Sequence, residues 1–437
     1  MYGILKIVYF SAITHEKYGW RGKKYGCDRV FSETPIDNMI STLTSHPDKV
    51  ILVGQSKIIR KNGKAYEKFL VSVGNDTTQI DYCSVIPHDL GNIVTALEKI
   101  VMDYPDCHFD LTGGDELAMV AIGIVYERHK DKGIKLHQYN IRTGVVYDCD
   151  MDGRVFSSEI PSLTVEQNII LHGGSIVTDT QRAGCTYPWV LDEEFTADVF
   201  AMWEICRRNC ALWNYQITML AEMMTFNSVI DDDLQLCANM EDVHTCLRAR
   251  GNTLNLDGIF GPLTEAGMIL GFGRDDEMLQ FRFKNEQVKL CLTKAGTLLE
   301  LVTLLTAKNM KKSDGTPYFN DVRTGVMIDW DGVVHNNKDG LVDTENEIDV
   351  ILMKGVVPVF ISCKNGIIPG DELYKLNTVA EQFGSEYARK VLVATDMGKA
   401  AKSRKYFLER ARDMGIQIIE DVHKNGFGKL ENILKTI

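Results

Sequence analysis

No run of about 18 consecutive apolar residues occurs in this chain, so no membrane-spanning helix is expected. The amino terminus, MYGILKIVYFSAI, lacks the basic start and small-residue cleavage site of a secretion signal. It reads instead as a buried first strand. The 11 cysteines form no CxxC pair and no paired Cys/His spacing. That argues against a structural zinc site and leaves free core thiols in a reducing, cytoplasmic setting. Positive charge is short as well: 48 Lys and Arg stand against 60 Asp and Glu, a net charge of −12. Phosphate neutralisation drives static binding along nucleic acid, so a coating or chromatin-type role is excluded. An enzyme acting on nucleic acid is not excluded, provided that basic residues are local and metal ions neutralise its site. Internal repeats and low-complexity segments are absent.

The 437 residues, 45% of them hydrophobic, suffice for two to four packed domains at roughly 100–200 residues each. In residues 1–180, KIVYFSAI, KVILVGQS, FLVSVG and CHFDLTG read as short strands, and NIVTALEKIVMDY and ELAMVAIGIVYERHK carry apolar residues at helical spacing. The alternation implies a Rossmann-like α/β domain whose ligand crevice lies at the carboxyl ends of parallel strands. Segment DGRVFSS reads as a hairpin strand, and LTVEQNIILHGG as a short helix capped near Thr164. Residues 181–292 read as a helical, winged-helix-like α+β linker. Its long helical pattern spans EEFTADVFAMWEICRRNCALWNYQITMLAEMM, and a hairpin is expected between LQFRFKN and VKLCLT. An irregular helical spacer fits as well. Residues 293–437 read as a second α/β domain: a helix with Thr293 as N-cap, a three-stranded meander, then helix, strand, helix, strand.

Chemistry concentrates in NEIDVILMKGVVPVFISCKNG. Asp349 stands in an apolar strand, on the face of Ile351 and Met353 by alternation, and Ser362 and Lys364 share a face of the next strand. A buried Asp and a buried Lys on neighbouring strands are costly unless paired or metal-bound. Phosphodiester hydrolysis uses such a set: a divalent metal held by oxygen ligands activates water, and an ammonium stabilises developing charge. Asp349 supplies the carboxylate, Lys364 the ammonium, and the backbone carbonyl of Cys363 a further oxygen. An Asp349–Lys364 ion pair alone is the plainer alternative. Glu300, at the edge of an apolar helical arc, and Glu372, in a first helical turn, are candidate further acids. A surface glutamate and a favourable helix N-terminal charge are their plainer readings. Asp329 and Asp331 read as turn residues or as a second metal contact. His15 and His172 read as polar loop residues. Lys399, Lys402, Arg404 and Lys405 are either a substrate-phosphate patch or a solvated helix face.

At the other end of the chain, LTGGDE follows a strand and opens a helix, where Gly113 and Gly114 let backbone N–H groups approach an anion. The strand ends around it make Ser11, Ala12, His15, Ser56, Thr112, Gly113, Gly114 and Asp115 the candidate ligand-binding residues, with a ligand-free tight turn as the alternative. A GGDE cyclase motif sits on a β-hairpin; here a helix continues.

The order Glu300 on a helix, a strand, Asp349 on a strand and Lys364 on the next resembles the PD-(D/E)xK nuclease superfamily. Ser362 stands where that superfamily usually has an acid two residues before the lysine. Some members move this carboxylate onto the following helix, which makes Glu372 the first candidate and Glu347 the second. With Thr112-Gly113-Gly114, LTVEQNIILHGG and the paired segments VILMKGVVPVFISCKNG and ELYKLNTVAEQFG, nearly the whole chain resembles CRISPR ancillary nucleases that join a CARF sensor to a PD-(D/E)xK domain. The resemblance is weak over residues 195–290. It implies a homodimer whose paired sensors bind a cyclic oligoadenylate, most often the tetra-adenylate. It also implies cleavage of DNA, single-stranded RNA or both with Mn2+ or Mg2+ in type III CRISPR antiviral defence. The catalytic set is Asp349, Lys364, Glu300 and Glu372, and the metal set Asp349, Glu372 and the Cys363 carbonyl. Sensors of this kind often carry a small or basic residue after Gly-Gly; Asp115 there suits hydrogen bonds from adenine or ribose instead. A ligand-responsive nucleic-acid-binding regulator with a degenerate nuclease domain is the alternative.

Overall fold

The computed structural model describes residues 5–9, 34–105, 107–114, 116–141, 143–149, 155–157, 161–179, 184–225, 234–248, 257–333, 344–398 and 401–436. The expected ligand-binding residues Ser11, Ala12, His15 and Asp115, and Lys399 of the basic cluster, lie outside these. Among the described residues no single helix is long and apolar enough to cross a membrane.

The chain begins with β1 (Leu5–Tyr9), α1 (Pro35–Ser45), β2 (Lys49–Gly54), α2 (Ser56–Ser72), β3 (Gln79–Ser84), α3 (Leu90–Asp103), β4 (Cys107–Asp110), α4 (Glu116–Arg128), β5 (Lys135–Asn140), β6 (Val145–Asp148) and β7 (Val155–Ser157). These strands form one sheet in the order β3-β2-β1-β4-β5-β6-β7, parallel from β3 to β5 and antiparallel beyond. The order reverses between β1 and β4, which puts the crevice of a doubly wound sheet at the carboxyl ends of those two strands. FLVSVG is not a strand. Ile59, Tyr66, Phe69 and Leu70 form a buried stripe at helical spacing, and α2 absorbs the apolar run.

Next come α5 (Val165–Leu171) and β8 (Ser175–Ile176). A capping box opens α5: the Gln167 N–H donates to the Thr164 hydroxyl, and the Gln167 side chain accepts the Thr164 N–H. His172 is the C-cap of this helix, and burial pushes its ring down to about 4.

The middle of the chain holds α6 (Glu193–Cys206), α7 (Cys210–Thr225), β9 (Gln235–Asn239), α8 (Met240–Arg248), α9 (Asp257–Glu265), β10 (Ile269–Arg274), β11 (Met278–Phe283) and α10 (Glu286–Thr293). The sheet order is β10-β11-β9, antiparallel throughout. The long helical pattern breaks at Arg207–Asn209 into α6 and α7. The hairpin is β10–β11, and VKLCLT belongs to α10, whose N-cap Asn285 accepts the Val288 N–H. Thr293 therefore closes α10, donating its hydroxyl to the Lys289 carbonyl, and caps no following helix.

The last portion comprises α11 (Thr297–Asn309), β12 (Asp321–Asp329), β13 (Glu345–Lys354), β14 (Val357–Lys364), α12 (Glu372–Gly384), β15 (Arg389–Ala394), α13 (Ala401–Asp413), β16 (Ile416–Ile419), α14 (Val422–Asn425) and α15 (Gly428–Lys435). Its sheet runs β16-β15-β14-β13-β12-β8, an antiparallel meander continued by parallel strands. β8, from the segment 1–180, is thus the edge strand of the C-terminal sheet. One sheet face packs Val350, Leu352, Val359 and Ile361 beneath α11, which is buried from Thr297 to Ala307. The other packs Ile351, Met353, Phe360 and Leu392 against Leu373, Leu376 and Phe383 of α12.

Candidate active site

Local backbone defects build the site. β12 and β13 keep one register but skip the pair Gly325–Asp349, where Gly325 takes φ +57 in mid-strand. The Thr324 hydroxyl donates to the Asp349 carbonyl instead, at 2.8 Å. Val350 packs in the core under α11, yet Ile348, two residues earlier, packs in the core of the opposite face. Alternation therefore inverts at Asp349, so its placement with Ile351 and Met353 by simple two-residue periodicity does not hold. The β13–β14 ladder also ends here, at Val350–Ile361. In place of a backbone acceptor, the Asp349 carboxylate takes the Cys363 N–H at 2.6 Å. The side chain thus enters the gap where the two strands part.

Around Asp349 the expected residues converge. The Lys364 ammonium lies 3.2 Å from Asp349 Oδ2 and 3.2 Å from Glu372 Oε1. Ser362 Oγ stands 3.1 Å from Asp349 Oδ2 and 2.6 Å from Glu372 Oε1, so its one proton serves either carboxylate. Glu372 is the first residue of α12 and is buried, which places it as the acid beside Ser362. Glu347 faces outward to Lys294, with 2.6 Å between Nζ and Oε1. Glu300 is no surface residue. It is buried in the first turns of α11, and burial, then the charge of Asp349, pushes its carboxyl up to about 8. Burial also raises Asp349, against Lys364 and the Cys363 N–H. Burial works against the charge of Lys364, but Asp349 and Glu372 outweigh it and the ammonium is held above its ordinary value.

Acids crowded this way are those that a bound cation would relieve. The available donors are oxygens, which suit Mg2+ or Mn2+ rather than a thiolate-seeking metal. Burial and the neighbouring carboxylates push the Cys363 thiol well up, so at most its backbone oxygen would serve. Among the described residues no group of three His, Cys, Asp or Glu side chains is spaced to hold an ion, and Lys364 bridges Asp349 and Glu372. Asp329 is not a turn residue; it ends β12, buried and in register with Ser175 and Glu345. Asp331 is in the turn, accepting the Val333 N–H. Lys402 and Lys405 are exposed on α13, whereas Arg404 pairs with Glu420.

Residues that the sequence did not single out hold the lysine in place. The Asn365 side chain donates to Asn214 Oδ1 of α7 at 2.9 Å and accepts the Thr395 hydroxyl at 3.0 Å. Asn365 follows the candidate lysine directly, the one sequence signal available.

In the N-terminal crevice, Gly113 and Gly114 are reachable and Gly114 takes φ +130. Ser56 is exposed at the start of α2, at the carboxyl end of β2. Thr112 is committed to the fold. Its N–H and hydroxyl donate to Asp110 Oδ1 at 2.9 and 2.5 Å, and its hydroxyl oxygen accepts the Tyr139 N–H. The Ser41 hydroxyl of α1 donates to the other Asp110 oxygen.

No family model matches the chain, and no curated protein matches it by sequence. Solved structures do. Protein VC1899 from Vibrio cholerae superposes with a TM-score of 0.68 at 14% identity, over 99% of this chain and 98% of that one. Can2 from Sulfobacillus thermosulfidooxidans, solved in complex with cyclic tetra-adenylate, superposes with a TM-score of 0.62 at 14% identity, over 99% and 97%. From end to end, this chain has the α/β fold of VC1899 and Can2.

Proposed function

We propose that the chain is an endonuclease of type III CRISPR defence, gated by a cyclic oligoadenylate bound between paired N-terminal domains of a homodimer. The ammonium of Lys364, 3.2 Å from two carboxylates where two strands part, carries the nuclease reading. The fold shared with Can2, a protein solved with cyclic tetra-adenylate, supports the choice of activator. In this reading residues 1–180 are the CARF sensor, 181–292 a winged-helix-like linker and 293–437 the PD-(D/E)xK domain. A symmetric ring suits a two-fold interface, and it activates only by binding the active arrangement better than the inactive one.

Asp349, Glu372 and the Cys363 carbonyl would hold Mn2+ or Mg2+, which supplies Lewis acidity and a lowered water pKa when bound. The chain's own residues do the rest. Lys364 turns its ammonium from the carboxylates to a phosphate oxygen, stabilising the charge that develops there. The Cys363 N–H fixes Asp349, and the Ser362 hydroxyl keeps Glu372 in register with it. Glu300 adds a carboxyl that carries its proton up to about pH 8 and stands beside Asp349.

Incubating the protein with plasmid DNA and single-stranded RNA, plus Mn2+, with and without cyclic tetra-adenylate, tests this directly. Ring-dependent cleavage by the wild type that Lys364→Ala abolishes is the expected result. The unassembled acids favour one other reading, a ligand-responsive nucleic-acid-binding regulator with a degenerate nuclease domain. Ring binding without cleavage of any substrate would establish it instead.

A further inference from the structure

The end of β14 that carries Lys364 is paired within the sheet on one side only. Its ladder with β13 stops at Ile361–Val350, whereas the ladder with β15 runs on to Lys364–Ala394. The Thr395 N–H adds one more bond on that side, to the Lys364 carbonyl at 3.1 Å. On the β13 side the Cys363 N–H goes to the Asp349 carboxylate and not to a backbone oxygen. Beyond Lys364 the chain turns out of the sheet at once, and Gly366 takes φ +135, a conformation that favours glycine. A strand end paired on one side opens easily unless other groups hold it.

Asn214 of α7 supplies that hold. Its Nδ2 donates to the Asn365 carbonyl, and its Oδ1 accepts from Asn365 Nδ2 at 2.9 Å. A carbonyl only accepts, so one orientation of the Asn214 amide fits. That orientation fixes the Asn365 amide in turn. The Asn365 Oδ1 takes the Thr395 hydroxyl at 3.0 Å, and its Nδ2 also lies 3.5 Å from Cys206 Sγ. Cys206 ends α6 and Asn214 lies early in α7, so both sides of the break at residues 207–209 reach the residue after the lysine. The two helices are rooted in the core through Met202, Trp203, Trp213 and Ile217, all buried. The Asn209 side chain accepts the Leu212 N–H at 3.0 Å and fixes the first turn of α7.

We propose that Asn214 is a positioning residue for Lys364: by gripping both the side chain and the carbonyl of Asn365, it holds the free edge of β14 so that the ammonium stays between Asp349 and Glu372. This rests on the nuclease reading above and makes the middle portion of the chain a working part of the catalytic site. Without Asn214 the segment that bears the lysine keeps its bonds to β15 alone. A displacement of about 1 Å at a reacting group can cost about a hundredfold in rate.

Asn214→Ala removes both bonds; Asn214→Asp keeps the size and the acceptor but loses the donor to the Asn365 carbonyl. Full-length proteins would be compared by amide hydrogen exchange without metal or ring, by kcat and KM for Mn2+-dependent cleavage with cyclic tetra-adenylate, and by ring affinity. Both variants should speed exchange at residues 363–366 and 395 about tenfold, the size of one net hydrogen bond. Exchange at residues 391–393, in the middle of β15, should stay as in the wild type. The kcat should fall about a hundredfold while KM and ring affinity hold. A wild type that cleaves nothing defeats the nuclease reading, and the exchange comparison still decides whether Asn214 holds the lysine's strand end. Unchanged exchange at residues 363–366 and 395 overturns the proposal. So does faster exchange throughout β14 and β15, which marks general loosening, or a raised KM at unchanged kcat.

Discussion

Ser362 and Glu300 show how two side chains can carry one site in different ways. Ser362 stands where an acid is expected, yet its hydroxyl lies within hydrogen-bonding distance of both Asp349 and Glu372. Ser362→Ala therefore removes one of the two groups, with Lys364, that bridge the carboxylates. Cleavage should fall about tenfold with ring affinity unchanged, against a loss of about a thousandfold for Lys364→Ala; initial rates on labelled substrate would measure both. Glu300 yields a pH prediction. Its carboxyl is raised in the folded chain from 4.5 to about 8, first by burial. A raised acid contributes stability that is fully present below the unfolded value and lost as pH rises through the folded one. Metal-free protein should accordingly melt at a lower temperature at pH 9 than at pH 6, and Glu300→Gln should flatten that slope. A melting temperature that rises over this interval would remove Glu300 from the crowded set.

Elements show where sequence patterns carry structure and where they stop. The pair Asp349 and Lys364 was legible because a charged residue in an apolar strand is conspicuous, and the capping box at Thr164 because its spacing is local. VKLCLT and FLVSVG were not, because a short apolar run fits a strand and a helical turn alike until its neighbours decide. The burial of Glu300 escaped because α11 is enclosed on all sides, so no polar face marked the exception. Gly325 is the element-scale feature that matters most. Its φ of +57 lets β12 bend where Asp349 leaves the ladder. Gly325→Ala should cost about 1–2 kcal/mol through the left-handed backbone alone. Cleavage should also fall more than the stability loss explains, because Asp349 would be drawn back toward regular pairing. Denaturant melts paired with single-turnover rates separate the two effects.

At the scale of the molecule, the N-terminal segment and the C-terminal sheet share a core. Ile36, Met39 and Ile40 of α1, Tyr66 and Phe69 of α2, and Val165 and Ile169 of α5 belong to one buried cluster with Ile351, Phe360 and Leu373. A cut after residue 180 would remove β8 from the edge of β12, and with it Leu163, Val165, Ile169 and Leu171, all nearly fully buried. Each such side chain is worth about 1.5–3 kcal/mol when buried, so the loss approaches the whole stability of an ordinary domain, about 5–15 kcal/mol. A fragment of residues 181–437 should therefore be aggregated or loosely packed, with weak near-ultraviolet circular dichroism. A fragment beginning at residue 161 keeps the edge strand and α5 and should hold more of its tertiary signal, though the surface left by α1 and α2 stays open. In the full chain, the shared core requires the two halves to unfold together. A calorimetric trace with two well-separated transitions, one moved by cyclic tetra-adenylate and the other by Mn2+, would show that the halves are energetically independent and that the shared core does not bind them into one cooperative unit.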